Sequence, residues 1–134
     1  MKNITIRNAI ESDSHSIHEL LMELAEFEKI LDSVDSTIES THSALFGNKP
    51  SANAIVAIVE EKIIGAAIYF FNYSTFVGKR GLYLEDIYIT PEYRGNGIGT
   101  KILKHLELIA RDKKVNQITL EAQSTENPKI VLRA

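Results

Sequence analysis

The chain has no cysteine and no tryptophan, and only three prolines among its 134 residues. Without cysteine there can be no disulfide, no thiolate nucleophile and no cysteine-ligated metal. The four histidines (His15, His18, His42 and His105) form neither an HxH nor an HExxH pattern. His15 and His18 fall three apart on a predicted helix and read as a solvated pair, so no metal site is expected. No stretch approaches the roughly 20 apolar residues of a membrane span. The start, Met-Lys-Asn-Ile-Thr-Ile, lacks the apolar run of a signal peptide, so a cytoplasmic location with no membrane partner is expected. A net charge of −3 argues against a nucleic-acid partner. Length and an apolar fraction of 44% fit one globular domain over residues 1–134.

Residues 4–7 alternate apolar and polar side chains, as a half-buried strand does. The polar cluster Glu11, Ser12, Asp13, Ser14 suits a helix start, and Ile17, Leu20, Leu21 and Leu24 then make one apolar stripe. Ser36 to Glu39 has capping-box spacing and opens a second helix, which Gly47 and Pro50 end. Residues 54–59 and 63–71 are apolar runs joined by a short polar link, which predicts a hairpin. A third run over 82–89 stops at Pro91, because proline cannot donate to a ladder. Helical spacing returns with Ile98, Ile102, Leu106 and Ile109, and 117–122 alternates again. The predicted order is β-α-α-β-β-β-α-β, a mixed α/β fold.

Between the third run and its helix lies Arg94-Gly95-Asn96-Gly97-Ile98-Gly99-Thr100. The first amides of a helix have no internal acceptor and sit at the positive end of its dipole. Glycines there let an anion approach those amides closely and let the turn take positive φ. A turn that merely packs the helix tightly is the plainer explanation, but the setting and the nearby Arg94, Lys101 and Lys104 favour anion binding. No Gly-Lys-Ser/Thr follows, so this is not a P-loop. The spacing also fails for a dinucleotide-binding fingerprint.

Arg94, Gly97 and Gly99 match Gln/Arg-x-x-Gly-x-Gly/Ala, and with this element order the chain resembles the GCN5-related N-acetyltransferases (GNAT). Within them it is most similar to the diamine (spermidine/spermine) N-acetyltransferases, through Glu23 to Glu28, Tyr69 to Tyr73, Gly78-Lys79 and Leu82-Tyr83-Leu84-Glu85-Asp86. The resemblance implies a GNAT-like, mostly antiparallel sheet flanked by helices, with acetyl-CoA as cosubstrate and a small-molecule amine as acceptor. It implies that the backbone of Ile87, Tyr88 and Ile89 pairs with the pantetheine arm. Arg94, Gly95, Asn96, Gly97, Ile98, Gly99 and Thr100 would hold the pyrophosphate. Glu85 would be the base, and Glu28, Glu85 and Asp86 would contact the acceptor. Along a regular strand Glu85 and Asp86 face opposite ways, so only a bulge lets both serve one pocket.

The sequence departs from that pattern twice. Ser74 and Phe76 stand where the relatives carry an acid and a tryptophan, which leaves amino-acid or peptide amines open beside polyamine-like ones. Where the relatives have a Phe-Tyr pair that supplies a general acid, this chain has Val131-Leu132, and no tyrosine follows Tyr93. The usual C-terminal helix and last strands are therefore expected to be lacking, leaving the fifth strand as an edge that a homodimer would cover. A coenzyme-binding module without efficient turnover is the alternative.

Overall fold

The structure is a computed structural model, and it describes residues 3–115, 117–120 and 130–133. One six-stranded sheet runs in the order β1 (Ile4–Asn8), β2 (Asn53–Val59), β3 (Lys62–Ser74), β4 (Lys79–Ile89), β5 (Gln117–Leu120), β6 (Ile130–Arg133). Every neighbouring pair is antiparallel except β4 and β5. That parallel step needs a crossover, which α3 (Ile98–Asp112) supplies. Helices α1 (Ser14–Phe27) and α2 (Ile38–Phe46) precede β2.

Helices on both faces explain why the strands read as apolar runs rather than alternations. Ile55, Ala57 and Val59 of β2 join Ile98, Ile102, Leu106 and Ala110 of α3 in one buried cluster. Ala54 and Val56, from the same strand, join Ile17 and Leu20 of α1 and Leu45 of α2 in the other. Each fully buried aliphatic side chain contributes about 1.5–3 kcal/mol of transfer free energy, so the four inward residues of α3 outweigh the cost of its glycine-rich start.

The local signals resolve with small shifts. Asp13 does not cap α1; its carboxylate takes the Ile10 N–H at 2.8 Å and pairs with Arg7 at 2.7 Å. Burial alone would push Asp13 up, but those bonds outweigh it and hold it below the usual carboxylate range. The capping box sits one residue later than the sequence predicts: Thr37 Oγ1 accepts from Ser40 N–H, and Ser40 Oγ accepts from Thr37 N–H. The sheet also continues past β5. Strand β6 pairs with it from Gln117↔Arg133 to Leu120↔Ile130, so the edges are β1 and β6, and the bare β5 edge behind the expected dimer is absent. The remainder of the C-terminal departure, 121–129, lies outside the described residues.

Helix α3 ends with Lys114 N–H on Arg111 O and Val115 N–H on Ala110 O. This double bond places Lys114 in the left-handed region at φ 59°, where glycine is the natural occupant. Lys114→Gly removes the Cβ penalty and should raise stability by about 0.5–1 kcal/mol. Thermal melts should show a Tm increase of roughly 3 °C; an unchanged or lower Tm would contradict this account of the cap.

Candidate active site

Strand β4 carries the expected carboxylates Glu85 and Asp86, and its register sets how they face. Ile68 pairs with Asp86 while Tyr69 pairs with Leu84, which leaves Glu85 as an extra residue opposite nothing in β3. This one-residue bulge reverses the facing of everything beyond it. Leu82 and Leu84 pack into the α3-side cluster, and after the bulge Ile87 and Ile89 do so too. Tyr88 instead joins the α1/α2 cluster. Asp86 shares that second face and lines two cavities beneath α1 and α2.

Strand β5 pairs with β4 only at Leu82, Tyr83 and Leu84. Among the described residues, β4 from Glu85 to Ile89 therefore has a neighbour on its β3 side alone. The bulge falls one residue beyond the last described pair of the β4–β5 ladder, Leu84↔Leu120.

Three carboxylates bear on this point. Glu85 is exposed on the bulge. Asp86 borders a cavity of about 180 Å³ with Glu28, Leu24, Ala25 and Ile30, and one of about 190 Å³ with Ser40, Thr41, Ala44 and Ile68. Leu21 and Ser36 line both. Burial pushes the Asp86 carboxyl up to about 6, with the charges of Glu85 and Glu28 adding. Like charges held close together, with Asp86 part-buried among them, favour a cation beside them. A cavity of about 560 Å³ is lined by Arg7, Asp13, Glu23 and Thr90 but by neither Asp86 nor the glycine turn, so it lies apart from these carboxylates.

The glycine turn takes the expected form. Gly95 and Gly97 adopt φ 81° and 74°, and Gly97 is the N-cap of α3. The first backbone bond of the helix is Lys101 N–H to Gly97 O, so the amides ahead of it have no acceptor in the helix. A Cβ added at Gly95, Gly97 or Gly99 would meet no protein atom within 4 Å. Backbone conformation explains glycine at 95 and 97 without any ligand. It does not explain Gly99, whose φ is ordinary. Open space at all three and a row of free amides fit a pyrophosphate.

Other expected residues are placed differently. The Arg94 side chain lies against the end of β4 and α1: its Nε–H donates to Ile89 O at 2.8 Å, and its guanidinium stands 5.2 Å from the ring centres of Phe27 and Tyr88. The Tyr88 hydroxyl, buried with its ring, donates to Glu23 Oε1 at 3.3 Å. The Tyr73 to Phe76 segment does not reach Asp86. Tyr73 pairs with Arg80, five ladder positions from the Ile68↔Asp86 pair, or roughly 17 Å at the usual strand rise. No cluster of three potential metal ligands occurs among the described residues. The bulge and the α2-side cavity had no signal in the sequence.

Because Asp86 holds its proton to higher pH in the fold than in the unfolded chain, it contributes stability below about pH 4 that is lost as pH rises through about 6. Asp86→Asn should therefore be more stable than the parent at pH 7, by about 1–2 kcal/mol after discounting for partial exposure. The gap should close at pH 4. Denaturant melts at both pH values check this, and an equal difference at the two would contradict it.

The model of the acetyltransferase (GNAT) family matches residues 15–131. Thialysine N-epsilon-acetyltransferase from Bos taurus is 41% identical over 128 residues, covering 90% of this chain and 75% of that protein. Spermidine/spermine N(1)-acetyltransferase-like protein 1 from Homo sapiens is 36% identical over 123 residues, covering 87% of this chain and 18% of that much longer protein. Among solved structures, a ribosomal-protein-alanine N-acetyltransferase from Brucella melitensis biovar Abortus 2308 superposes with a TM-score of 0.76 at 21% identity, covering 92% of this chain and 82% of that one. That last likeness concerns the fold alone.

Proposed function

The chain belongs to the GNAT acetyltransferase family and is an N-acetyltransferase, and from that premise we propose that it moves the acetyl group of acetyl-CoA to a primary amine of a small diamine- or polyamine-like acceptor. The observation that carries this reading is the trio Glu28, Glu85 and Asp86. These carboxylates act on one another where β4 bulges, and repulsion among them is relieved by an ammonium group. The amides of Gly95 to Thr100 would take the pyrophosphate, and the backbone of Ile87, Tyr88 and Ile89 the pantetheine arm.

Acetyl-CoA supplies a thioester carbonyl. Asp86 and Glu28 hold the acceptor as its cation, since a charged partner is what their setting favours. Glu85, on the solvent side of the bulge, takes the ammonium proton directly or through water, which frees the nitrogen lone pair. The nitrogen then bonds to the carbonyl carbon, the carbon–sulfur bond breaks, and the second nitrogen proton passes through solvent water to the departing thiolate, leaving the amide and coenzyme A thiol.

Amino-acid amines are the second reading, favoured by 41% identity to a thialysine enzyme across 90% of the chain. Its acceptor also presents a primary amine on a short flexible arm. Diamines and thialysine tested side by side distinguish the two.

Calorimetry with acetyl-CoA, followed by thiol release with those amines, tests the whole proposal, and no binding of acetyl-CoA would end it. Gly99→Val is the sharper probe, because it fills the space facing the ligand without a left-handed φ to strain. It should weaken acetyl-CoA at least about tenfold by blocking approach to the helix amides, with the Tm held or raised. Glu85→Gln should lower kcat by about 10²-fold or more with a modest change in amine KM. Asp86→Asn should mainly raise that KM, and in the parent the amine KM should climb as pH falls below about 6. An unchanged rate and pH profile in Glu85→Gln would remove Glu85 from its role.

A further inference from the structure

Arg94 occupies the first position of the glycine motif, yet its side chain is committed away from the turn. Two elements, β4 and α1, meet on it. The Nε–H is tied to the last carbonyl of β4, at Ile89. One aromatic neighbour, Tyr88, belongs to β4 and is itself bonded to Glu23 of α1. The other, Phe27, is the final residue of α1 and is 67% exposed, so little besides the guanidinium holds it.

The end of α1 needs such a tie. It closes on Lys29 in the left-handed region, at φ 61°, with Lys29 N–H on Glu26 O and Ile30 N–H on Ala25 O. A non-glycine residue there makes the closing turn less favourable than the same turn with glycine. Glu28 sits between Phe27 and Lys29 and lines the cavity it shares with Asp86. Whatever fixes Phe27 also fixes Glu28.

We propose that Arg94 is a positioning residue for the acceptor: it fastens the end of α1, and Glu28 with it, to the turn that precedes α3. The acceptor and coenzyme roles used here rest on the function proposed above. The guanidinium is suited to this in a way an ammonium is not. It is planar, it lies against two rings at once, and it keeps an N–H directed at Ile89 O. Positioning of the acceptor carboxylate is thereby linked to an intact glycine turn, so amine binding senses the conformation of the coenzyme loop.

Arg94→Ala and Arg94→Lys, with Phe27→Ala beside them, test the tie through two readouts. The first is amide hydrogen exchange over residues 24–30 in the ligand-free protein, and the second is the amine KM at saturating acetyl-CoA. All three variants should speed exchange there by about three- to tenfold, the weight of an aromatic–guanidinium contact at a partly exposed site. The two Arg94 variants should raise the amine KM by a similar factor with a smaller change in kcat. Lysine should not rescue, because charge without a planar fork does not rebuild the contact. Unchanged exchange in Arg94→Ala would overturn the proposal, as would full recovery of the amine KM in Arg94→Lys. Failure of the parent protein to bind acetyl-CoA would instead overturn the function proposed above, and exchange in the free protein would still decide the tie.

Discussion

Strand β4 has two obligations that a regular strand cannot meet together. Its first half must bury Leu82 and Leu84 against α3, and its second half must bury Ile87 and Ile89 against the same helix. The acidic pair lies between these halves. With strict alternation, Asp86 would follow Leu82 and Leu84 onto the α3 face, into the apolar interior, where an unpaired carboxylate is very costly. One extra residue at Glu85 resolves the conflict. It sends Asp86 to the α1/α2 face beside open cavities, leaves Glu85 exposed, and restores the apolar facing of Ile87. The rest of the site follows from that residue, since α1 and α2 are needed to roof Asp86.

Periodicity carried the fold well where burial was one-sided or continuous. The stripe of Ile98, Ile102 and Leu106, and the apolar runs of β2 and β3, marked elements whose bounds the structure reproduces within a residue or two, except that β3 runs three residues further, to Ser74. Strand β6 escaped because Ile130, Val131 and Leu132 are only three consecutive apolar residues, too short for either period to show. The tight turn between β2 and β3 was legible as polar but not as strained, since Glu60 and Glu61 both take positive φ without asparagine or glycine.

Within the site the glycine turn was legible because a turn's backbone demands leave a mark on residue type. The carboxylates were legible through likeness to a family. Their facing was not, because a bulge changes the register without changing composition. Arg94 shows the same limit. Its residue type suits an anion, and only coordinates reveal that aromatic rings and a carbonyl already engage it.

Gly99 has an ordinary φ and no protein atom near its missing Cβ, so neither strain nor crowding in the chain itself accounts for it. A glycine inside the first turn of a helix costs about 1 kcal/mol relative to alanine through lost chain entropy. Together with Gly95 and Gly97 it makes the entry to α3 the least stiff part of a helix otherwise anchored by Ile98, Ile102, Leu106 and Ala110. The first turn is thus the segment of α3 with the lowest local opening free energy, while the remainder stays bound to the sheet. An anion seated on its amides would quiet that turn alone, and the association would carry an unfavourable entropy drawn from half a dozen residues rather than from the whole domain.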